Sequence, residues 1–116
     1  MDAEALPLAL TMGDPAGIGG ELTLAAWERA RHGAGPVFVV LDDPARLAAL
    51  AARLGRMVPL AEVADPAGAA TLFRERLPVL PVPLAAPVTP GRPDAAHAPA
   101  ILSSIETAVR LAQAGK

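Results

Sequence analysis

One stretch of the sequence decides the fold, and it reads Thr11-Met12-Gly13-Asp14-Pro15-Ala16-Gly17-Ile18-Gly19-Gly20-Glu21. A short apolar run, Leu6 to Leu10, precedes it, and a run of good helix formers, Glu21 to Arg31, follows it. This order predicts a strand, a glycine-rich turn and the start of a helix. Glycine lets the backbone adopt positive φ or approach a ligand without a Cβ clash. Because a helix N-terminus also favours anions, the turn is a candidate ligand site.

Two well-known phosphate-binding motifs are absent from this turn. The NTPase loop G-x-x-x-x-G-K-[ST] requires a lysine, and the single lysine of the chain is Lys116. The dinucleotide fingerprint G-x-G-x-x-G could start only at Gly17, which would place its third glycine on Leu22. On glycine content alone, a tight strand-to-helix turn without a ligand is as good an interpretation as an anion site.

The following segments alternate between strand and helix. Val37–Leu41 is β-branched and apolar and predicts a second strand. Asp43 before Pro44 predicts a helix N-cap with proline in the first position, and Gly55 ends that helix. Its buried stripe is predicted to be Leu47, Leu50, Ala51 and Leu54. The β-α-β-α order predicts an α/β fold, with a mainly parallel sheet flanked by helices.

Burial can also be predicted for the first two elements. The near-continuous apolar run Leu6–Thr11 is typical of a strand covered on both faces. Apolar residues around most of the first helix predict that its start is well buried. Residues 32–36 then stop this helix, with Gly33 as the expected residue of left-handed conformation.

The second half of the chain gives weaker signals until its last helix. Met57–Val63 predicts a short strand, and residues 87–93 a loop. Leu77–Leu84 is extended, but its three prolines argue against a fully bonded central strand. From Pro99 to Ala114 the period is helical, with an apolar face formed by Ile101, Leu102, Ile105, Ala108, Val109 and Ala112. Such a helix normally leads to another strand, which predicts that the fold is incomplete.

Composition excludes several functional classes. The chain has 116 residues, 53% of them hydrophobic, and a net charge of −2. Its nine arginines are scattered, which argues against a nucleic-acid partner. No apolar run approaches the ~18 residues of a membrane span, and no signal-peptide pattern is seen. The absence of cysteine excludes thiolate chemistry and fits a reducing compartment, so we expect a cytoplasmic chain with no membrane partner.

The titratable residues do not form a recognisable catalytic set. His32 and His97 are interpreted as solvated or capping histidines, because metal sites need several convergent ligands. Asp42 and Asp43 are interpreted as helix-capping residues rather than metal ligands. We therefore assign no catalytic residue and no metal ligand to this chain.

The string Gly13–Glu21 closely resembles the opening signature G-D-P-A-G-I-G-P-E of the 4-hydroxythreonine-4-phosphate dehydrogenase family. Eight of its nine positions match, with Gly20 in the place of the family's proline. It is more distantly similar to the G-D-G-I-G-P-E turn of isopropylmalate and isocitrate dehydrogenases. Weaker likenesses extend over essentially all 116 residues, namely the second strand with Asp42, the Pro90-Gly91 loop, and the Ser104–Val109 helix with Gly115.

The resemblance implies a fold and an activity. The fold is isocitrate/isopropylmalate dehydrogenase-like and incomplete, with residues 1–116 as the N-terminal part of an α/β dehydrogenase domain and the catalytic second half absent. The implied reaction is NAD-dependent oxidation, then decarboxylation, of a small phosphorylated hydroxy-amino acid, in pyridoxine and pyridoxal phosphate biosynthesis. Family members are homodimers with a divalent metal (Zn, Mg or Co), whose ligands are not in this chain.

Within that family, the turn would help shape the cofactor side of the active-site cleft. The candidate cofactor-binding residues are Gly13, Asp14, Gly17, Ile18 and Gly19. A different class of function remains open, in which the chain is a non-catalytic fragment or a small-ligand-binding α/β module that retains the glycine-rich turn.

Overall fold

Four parallel strands form the sheet of the computed structural model, which describes residues 7–13, 17–34, 36–84, 88 and 91–115. The strands are β1 (Leu8–Thr11), β2 (Phe38–Asp42), β3 (Leu60–Glu62) and β4 (Leu77–Pro81), and their spatial order is β1-β2-β4-β3. Four helices flank them: α1 (Gly19–Arg29), α2 (Pro44–Arg53), α3 (Ala69–Leu72) and α4 (Ala98–Gln113). The predicted α/β architecture with a parallel sheet is confirmed.

Two hydrophobic cores lie on opposite faces of the sheet, because successive side chains of a strand alternate between faces. On β2, Phe38 and Val40 face the core beneath α1 and α2, whereas Val39 and Leu41 face the core beneath α4. Trp27 of α1 is fully buried in the first core, and its Nε1–H donates a 2.8 Å hydrogen bond to the carbonyl oxygen of Phe73. The rings of Phe38 and Phe73 pack edge to face, 5.0 Å apart.

The predicted start of α2 is confirmed in detail. The Asp43 carboxylate accepts hydrogen bonds from the backbone N–H groups of Ala45 and Arg46, at 2.9 and 3.3 Å, and Pro44 occupies the first helical position. Leu47, Leu50 and Ala51 are buried as predicted. Leu54 is 41% exposed, because the helix ends at Arg53 before its stripe is complete.

The segment Leu77–Pro81 is extended, as predicted, but β4 is a central strand, against the expectation from its prolines. It lies between β2 and β3. Leu77 N–H donates to Pro59 O, and Val82 N–H donates to Asp42 O, so odd-numbered residues face β3 and even-numbered residues face β2. The nitrogen of Pro78 therefore faces β2 just before the β2–β4 pairing begins at Val79, and that of Pro81 faces β3 just after the β3–β4 pairing ends at Val79. Each proline therefore lies where its missing N–H costs the sheet the fewest hydrogen bonds.

The expected burial of β1 and of the start of α1 was also wrong. Leu8 and Leu10 are 58% and 37% exposed, and Leu22 in the first turns of α1 is 61% exposed. The reason is the position of β1 at one edge of the sheet, where only β2 pairs with it among the described residues. Its apolar character suits a strand with neighbours on both sides.

The last helix is also rotated relative to its predicted face. Its buried residues are Ala100 and Ser104, with Ile101, Ala108 and Leu111 packed against the second core. Leu102, Ile105 and Val109, which were predicted to be buried, are 45–57% exposed. The buried face of α4 is therefore centred on Ser104, because the hydroxyl of this serine bonds to the backbone at the ends of β1 and β2.

Some predictions fall outside the described residues. These include the N-terminal end of the first strand at Leu6, residues 87, 89 and 90 of the predicted 87–93 loop, and Lys116. No helix in the described part of the chain is long and apolar enough to cross a membrane.

A glycine-rich turn at the carboxyl edge of the sheet

The candidate site lies where β1 and β2 end side by side. Thr11 pairs with Leu41 in the parallel ladder, so Met12 and Gly13 leave β1 beside Asp42, the last residue of β2. In open α/β sheets, ligands bind beyond the carboxyl ends of the strands. The predicted turn therefore lies at the edge of the sheet where such sites occur.

A buried serine fixes the beginning of this turn. The backbone N–H of Met12 donates a 3.1 Å hydrogen bond to Ser104 Oγ, and that hydroxyl donates a 2.9 Å bond to the carbonyl oxygen of Leu41. Ser104 is fully buried and Met12 nearly so. One hydroxyl on α4 thus satisfies a donor after β1 and an acceptor at the end of β2, and it holds the two strand ends together.

The backbone of the turn uses glycine in two places. Gly13 has φ of +64°, in the left-handed region that favours glycine. Gly19 is the first residue of α1, and a Cβ atom there would lie 3.1 Å from the carbonyl oxygen of Met12. The two glycines allow the chain to reverse sharply, so that α1 begins close to the end of β1.

The N-terminus of α1 points its positive dipole end towards this edge. Ile18 is in the N-cap position and supplies no side-chain cap, while Gly17 and Ile18 are exposed. Glu21 lies in the first turn of the helix, as is common where the dipole favours a negative charge. An exposed helix start of this kind provides backbone N–H donors for an anionic ligand.

A buried ion pair lies beside the turn. Asp42 Oδ2 accepts a 2.8 Å hydrogen bond from Arg46 Nη1, and Asp42 Oδ1 accepts a 2.7 Å bond from the N–H of Asp43. Burial raises the pKa of Asp42 to about 6, although the positive charge of Arg46 and the Asp43 hydrogen bond lower it. The Arg46 guanidinium packs against Gly20, in the first turn of α1. This pair connects the end of β2 to the start of α1.

Asp43 connects the same edge to β4. Besides capping α2, its Oδ2 accepts a 2.9 Å hydrogen bond from the N–H of Leu84, in the segment that follows β4. The predicted capping role of Asp43 is confirmed. Asp42, which was predicted to be part of the same cap, instead pairs with Arg46.

The structure brings together most of the predicted cofactor-binding residues. Gly13, Gly17, Ile18 and Gly19 form the described part of the turn, while Asp14 lies outside the described residues. Sequence reasoning missed Arg46 and Ser104. A signal existed for each: Asp42 and Arg46 are an oppositely charged i, i+4 pair, and Ser104 interrupts the apolar period of α4.

The two histidines differ in their environment. His32 is exposed after α1, in agreement with its interpretation as a solvated residue. His97 is only 1% exposed and occupies the N-cap position of α4, but its side chain makes no cap hydrogen bond. The expectation of a solvated or capping histidine was therefore wrong for His97, which is buried at the end of the 3-10 turn Ala95–His97 that leads into α4.

Comparison with known proteins identifies the fold of the chain. A solved 4-hydroxythreonine-4-phosphate dehydrogenase from Burkholderia phymatum superimposes on 95% of the chain with a TM-score of 0.81 and 25% identity. One from Klebsiella pneumoniae covers 96% of the chain with a TM-score of 0.79 and 27% identity. The chain covers 33% and 34% of those proteins. It is an α/β fragment of the isocitrate/isopropylmalate dehydrogenase-like class.

Sequence comparison gives the particular family. The 4-hydroxythreonine-4-phosphate dehydrogenase of Methylorubrum extorquens is 50% identical over 117 residues, which cover 99% of this chain. That of Xanthobacter autotrophicus is 48% identical over 110 residues. No model of a known protein family matches the chain. The chain spans about a third of the length of these relatives, and it corresponds to an N-terminal portion of the 4-hydroxythreonine-4-phosphate dehydrogenases.

Proposed function

We propose that this chain is the N-terminal part of an NAD-dependent 4-hydroxythreonine-4-phosphate dehydrogenase and supplies the glycine-rich turn on the cofactor side of its cleft. The observation that carries the proposal is the 50% identity to such an enzyme across 99% of the chain. The complete enzyme would oxidise and then decarboxylate a small phosphorylated hydroxy-amino acid, on the route to pyridoxal phosphate. It would act as a cytoplasmic homodimer without nucleic-acid or membrane partners.

The turn has the features that an anionic cofactor requires. Gly13, Asp14, Gly17, Ile18 and Gly19 would surround the negatively charged part of NAD, with the N-terminus of α1 supplying partial positive charge. When bound, NAD would accept a hydride from the substrate alcohol. The left-handed Gly13 and the N-cap position at Ile18, which lacks a side-chain cap, support this role. In this proposal the residues of this chain bind and orient the cofactor, and none of them is assigned a proton transfer.

Ser104 and the Asp42–Arg46 pair would serve as positioning residues. Ser104 holds the N–H of Met12 immediately before Gly13, and Arg46 packs against the first turn of α1. Their buried side chains touch the backbone on either side of the proposed cofactor site. They would keep the turn in one conformation, so that little ordering is required when the cofactor binds.

The divalent metal of the proposed enzyme, Zn, Mg or Co, would be held by residues outside this chain. No group of three or more His, Cys, Asp or Glu side chains that could hold a metal occurs within the described residues. Asp42 is paired with Arg46, and Asp43 accepts backbone hydrogen bonds. We therefore assign no metal-dependent step to this chain and expect the 116-residue chain alone to be inactive.

The activity can be tested directly. Purified chain is incubated with NAD, a divalent metal and 4-phosphohydroxythreonine, and NADH is followed by its absorbance. We expect no turnover, because the metal ligands and substrate contacts of the proposed enzyme are absent. Robust turnover by protein of this length would contradict the proposed division of the active site.

Cofactor binding tests the role of the turn separately from activity. Titration of the labelled chain with NAD, followed by NMR, should shift the amide signals of Gly17 and Gly19. Gly17 is exposed, so Gly17→Val should block close approach of a ligand, and circular dichroism shows whether the variant keeps the fold. We expect it to weaken binding at least about tenfold, or by 1.4 kcal/mol. The matched control is Gly68→Val, at a glycine with no atom near its Cβ position.

The second candidate function is a small-ligand-binding α/β module that retains the turn without the enzyme. The observation that favours it is that the left-handed Gly13 and the helix start without a side-chain cap at Ile18 both lie within this chain. Binding of inorganic phosphate but not of NAD, with the same sensitivity to Gly17→Val, would support the module. A reading frame that continues beyond Lys116 into a strand and a Gly-His-Thr segment would favour the dehydrogenase.

A further inference from the structure

The chain leaves the sheet towards opposite faces after two neighbouring strands. The segments that follow β1 and β2 lead to α1 and α2, which pack on the first core, whereas the segment that follows β4 leads to α4, which packs on the second core. Since β2 and β4 are adjacent, the two directions diverge between them. A switch point of this kind in an open parallel sheet is where a crevice forms beyond the strand ends and ligands bind.

The hydrogen-bond ladder between β2 and β4 continues past the end of the β2 backbone. Val82 N–H donates a 2.9 Å hydrogen bond to Asp42 O. In a parallel ladder the next N–H on that side, that of Leu84, would bond to the carbonyl oxygen of residue 44, but Pro44 has already begun α2. Asp43 Oδ2 accepts this hydrogen bond instead, at 2.9 Å. A carboxylate thus extends the ladder where the backbone of β2 has turned away.

The additional hydrogen bond keeps the chain after β4 in line with the sheet. Pro83 lies between the two bonded residues, and its nitrogen faces away from β2, so its ring does not interrupt the ladder. Proline also fixes its own φ, which stiffens the segment. Leu84 packs against the second core, while Pro83 is exposed. We call residues 82–84 the β4 wall, because they extend beyond the end of β2 on one side of the switch point.

Asp43 uses its two carboxylate oxygens on the two sides of this crevice. Oδ1 accepts hydrogen bonds from the N–H groups of Ala45 and Arg46 and so caps α2 on one side. Oδ2 holds Leu84 of the β4 wall on the other side. The residue that fixes the start of α2 therefore also fixes the separation between α2 and the β4 wall.

The crevice lies close to the glycine-rich turn. β2 separates β1 from β4, so the turn after β1 and the β4 wall are two strand spacings apart, or about 10 Å. A dinucleotide is longer than this distance and can contact both. The β4 wall therefore stands where it can form a second side of the site that begins at the turn.

We infer that Asp43 is a positioning residue for the cofactor, which holds the β4 wall at the switch point as the second side of the site formed by the glycine-rich turn. The inference rests on the proposed function and extends its site from β1 to β4. Asp43 acts through Leu84 N–H and not by contact with the ligand, because both of its oxygens accept backbone hydrogen bonds. It orders the wall before the cofactor binds, which lowers the entropic cost of binding.

Asp43→Asn separates the two roles of the carboxylate. Asparagine is as good an N-cap as aspartate, and its amide oxygen should stay with the two donors of α2, which leaves the amide NH2 group against Leu84 N–H. Hydrogen exchange followed by NMR should become at least about tenfold faster at Leu84 and stay unchanged at Ala45 and Arg46. The matched control is Asp65→Asn, which makes the same change of charge at the cap of the short 3-10 turn after β3 and should not alter exchange at Leu84.

Titration with NAD gives a readout that a purely structural role of Asp43 would not change. In the wild type, NAD should shift the amide signals of Val82 and Leu84 as well as those of the turn. Asp43→Asn, and Leu84→Pro, which removes the N–H donor, should each weaken NAD binding at least about threefold. Leu84→Ala keeps that N–H and is the control for the loss of the side chain, so it should weaken binding less than Leu84→Pro.

The outcomes separate this inference from the proposed function. NAD-induced shifts confined to the turn, with an affinity that Asp43→Asn and Leu84→Pro leave unchanged, would overturn the inference while the proposed function stands. Absence of NAD binding by the wild type would contradict the proposed function. In that case faster exchange at Leu84 in Asp43→Asn would still support the positioning of the wall, and unchanged exchange would overturn it.

Discussion

A Cβ atom on Gly20 would lie 3.0 Å from both terminal nitrogens of the Arg46 guanidinium and 2.8 Å from Leu50 Cδ2, so the missing side chain at position 20 makes room for both side chains. The guanidinium is held there by its 2.8 Å bond to Asp42. Position 20 is also where the turn departs from the family signature it otherwise matches. The departure therefore has a physical counterpart in two side chains of the neighbouring helix α2, Arg46 and Leu50.

We expect Gly20→Ala and Arg46→Ala to be energetically coupled. Alanine is favoured over glycine in a helix by up to about 1 kcal/mol, but at position 20 it displaces both the guanidinium and the end of Leu50, and only the first of these costs is removed by Arg46→Ala. Gly20→Ala should thus be more favourable in the Arg46→Ala background, with a coupling on the order of 1 kcal/mol. Urea unfolding followed by the fluorescence of Trp27 measures the four free energies.

The control for this cycle is Gly68→Ala, because nothing lies within 4 Å of a Cβ atom there. Gly68→Ala and Arg46→Ala should be additive. Additivity of Gly20→Ala with Arg46→Ala would show instead that the guanidinium moves aside at no cost.

Asp42 should make stability depend on pH in the direction opposite to that of an ordinary paired carboxylate. Burial raises its pKa from 3.8 to about 6 despite Arg46. Between these values the folded chain keeps a proton that the unfolded chain has lost, so the free energy of unfolding falls as pH rises. A shift of roughly two pKa units corresponds to at most about 3 kcal/mol.

Comparison with Asp42→Asn isolates this effect, because asparagine does not titrate and the other carboxylates are common to both proteins. The free energy of unfolding of the wild type minus that of the variant should decrease between about pH 4 and about pH 7. A difference that is constant, or that increases with pH, would mean that Arg46 outweighs burial.

Ser104→Ala should destabilise the chain by about 2 kcal/mol, because it leaves the buried Met12 N–H and Leu41 C=O without their partner. Ser103→Ala, at the exposed neighbour on the same helix, should change stability by less than about 0.5 kcal/mol. Urea unfolding gives both values. Faster hydrogen exchange at the Met12 amide in Ser104→Ala alone would locate the change, and equal behaviour of the two variants would contradict the bridging role of Ser104.

An element could be predicted from the sequence when the residues that specify it are close together in the chain. β2 and α2 were predicted almost to the residue, because an uninterrupted β-branched run and an Asp-Pro helix start are local signals. The central position of β4 was not predicted. A central strand tolerates Pro78 and Pro81 only if their nitrogens face a neighbouring strand outside the paired region. That depends on the register with β2 and β3, which no local pattern contains.

The site was predictable to a similar extent. The glycine-rich turn was found as a motif, and Gly13 has the left-handed φ that only a turn of this kind requires. The contacts that hold it, from Ser104 to Met12 and from Arg46 to Gly20, join residues that are far apart in the sequence. The apolar period of α4 assigned its buried face to Ile105, because hydrophobicity cannot show that a hydroxyl is needed at the strand ends.

The bond between Met12 and Ser104 also bears on the biosynthesis of the chain. The two residues are separated by 92 positions, so ribosomes adding ~5–20 residues per second take on the order of ten seconds to make the second after the first. Throughout that interval the nascent glycine-rich segment has no partner for its Met12 amide. The glycine-rich turn is made early but gains its contact with Ser104 only after α4 has been made, and synthesis that stops short of α4 would leave the turn without that contact.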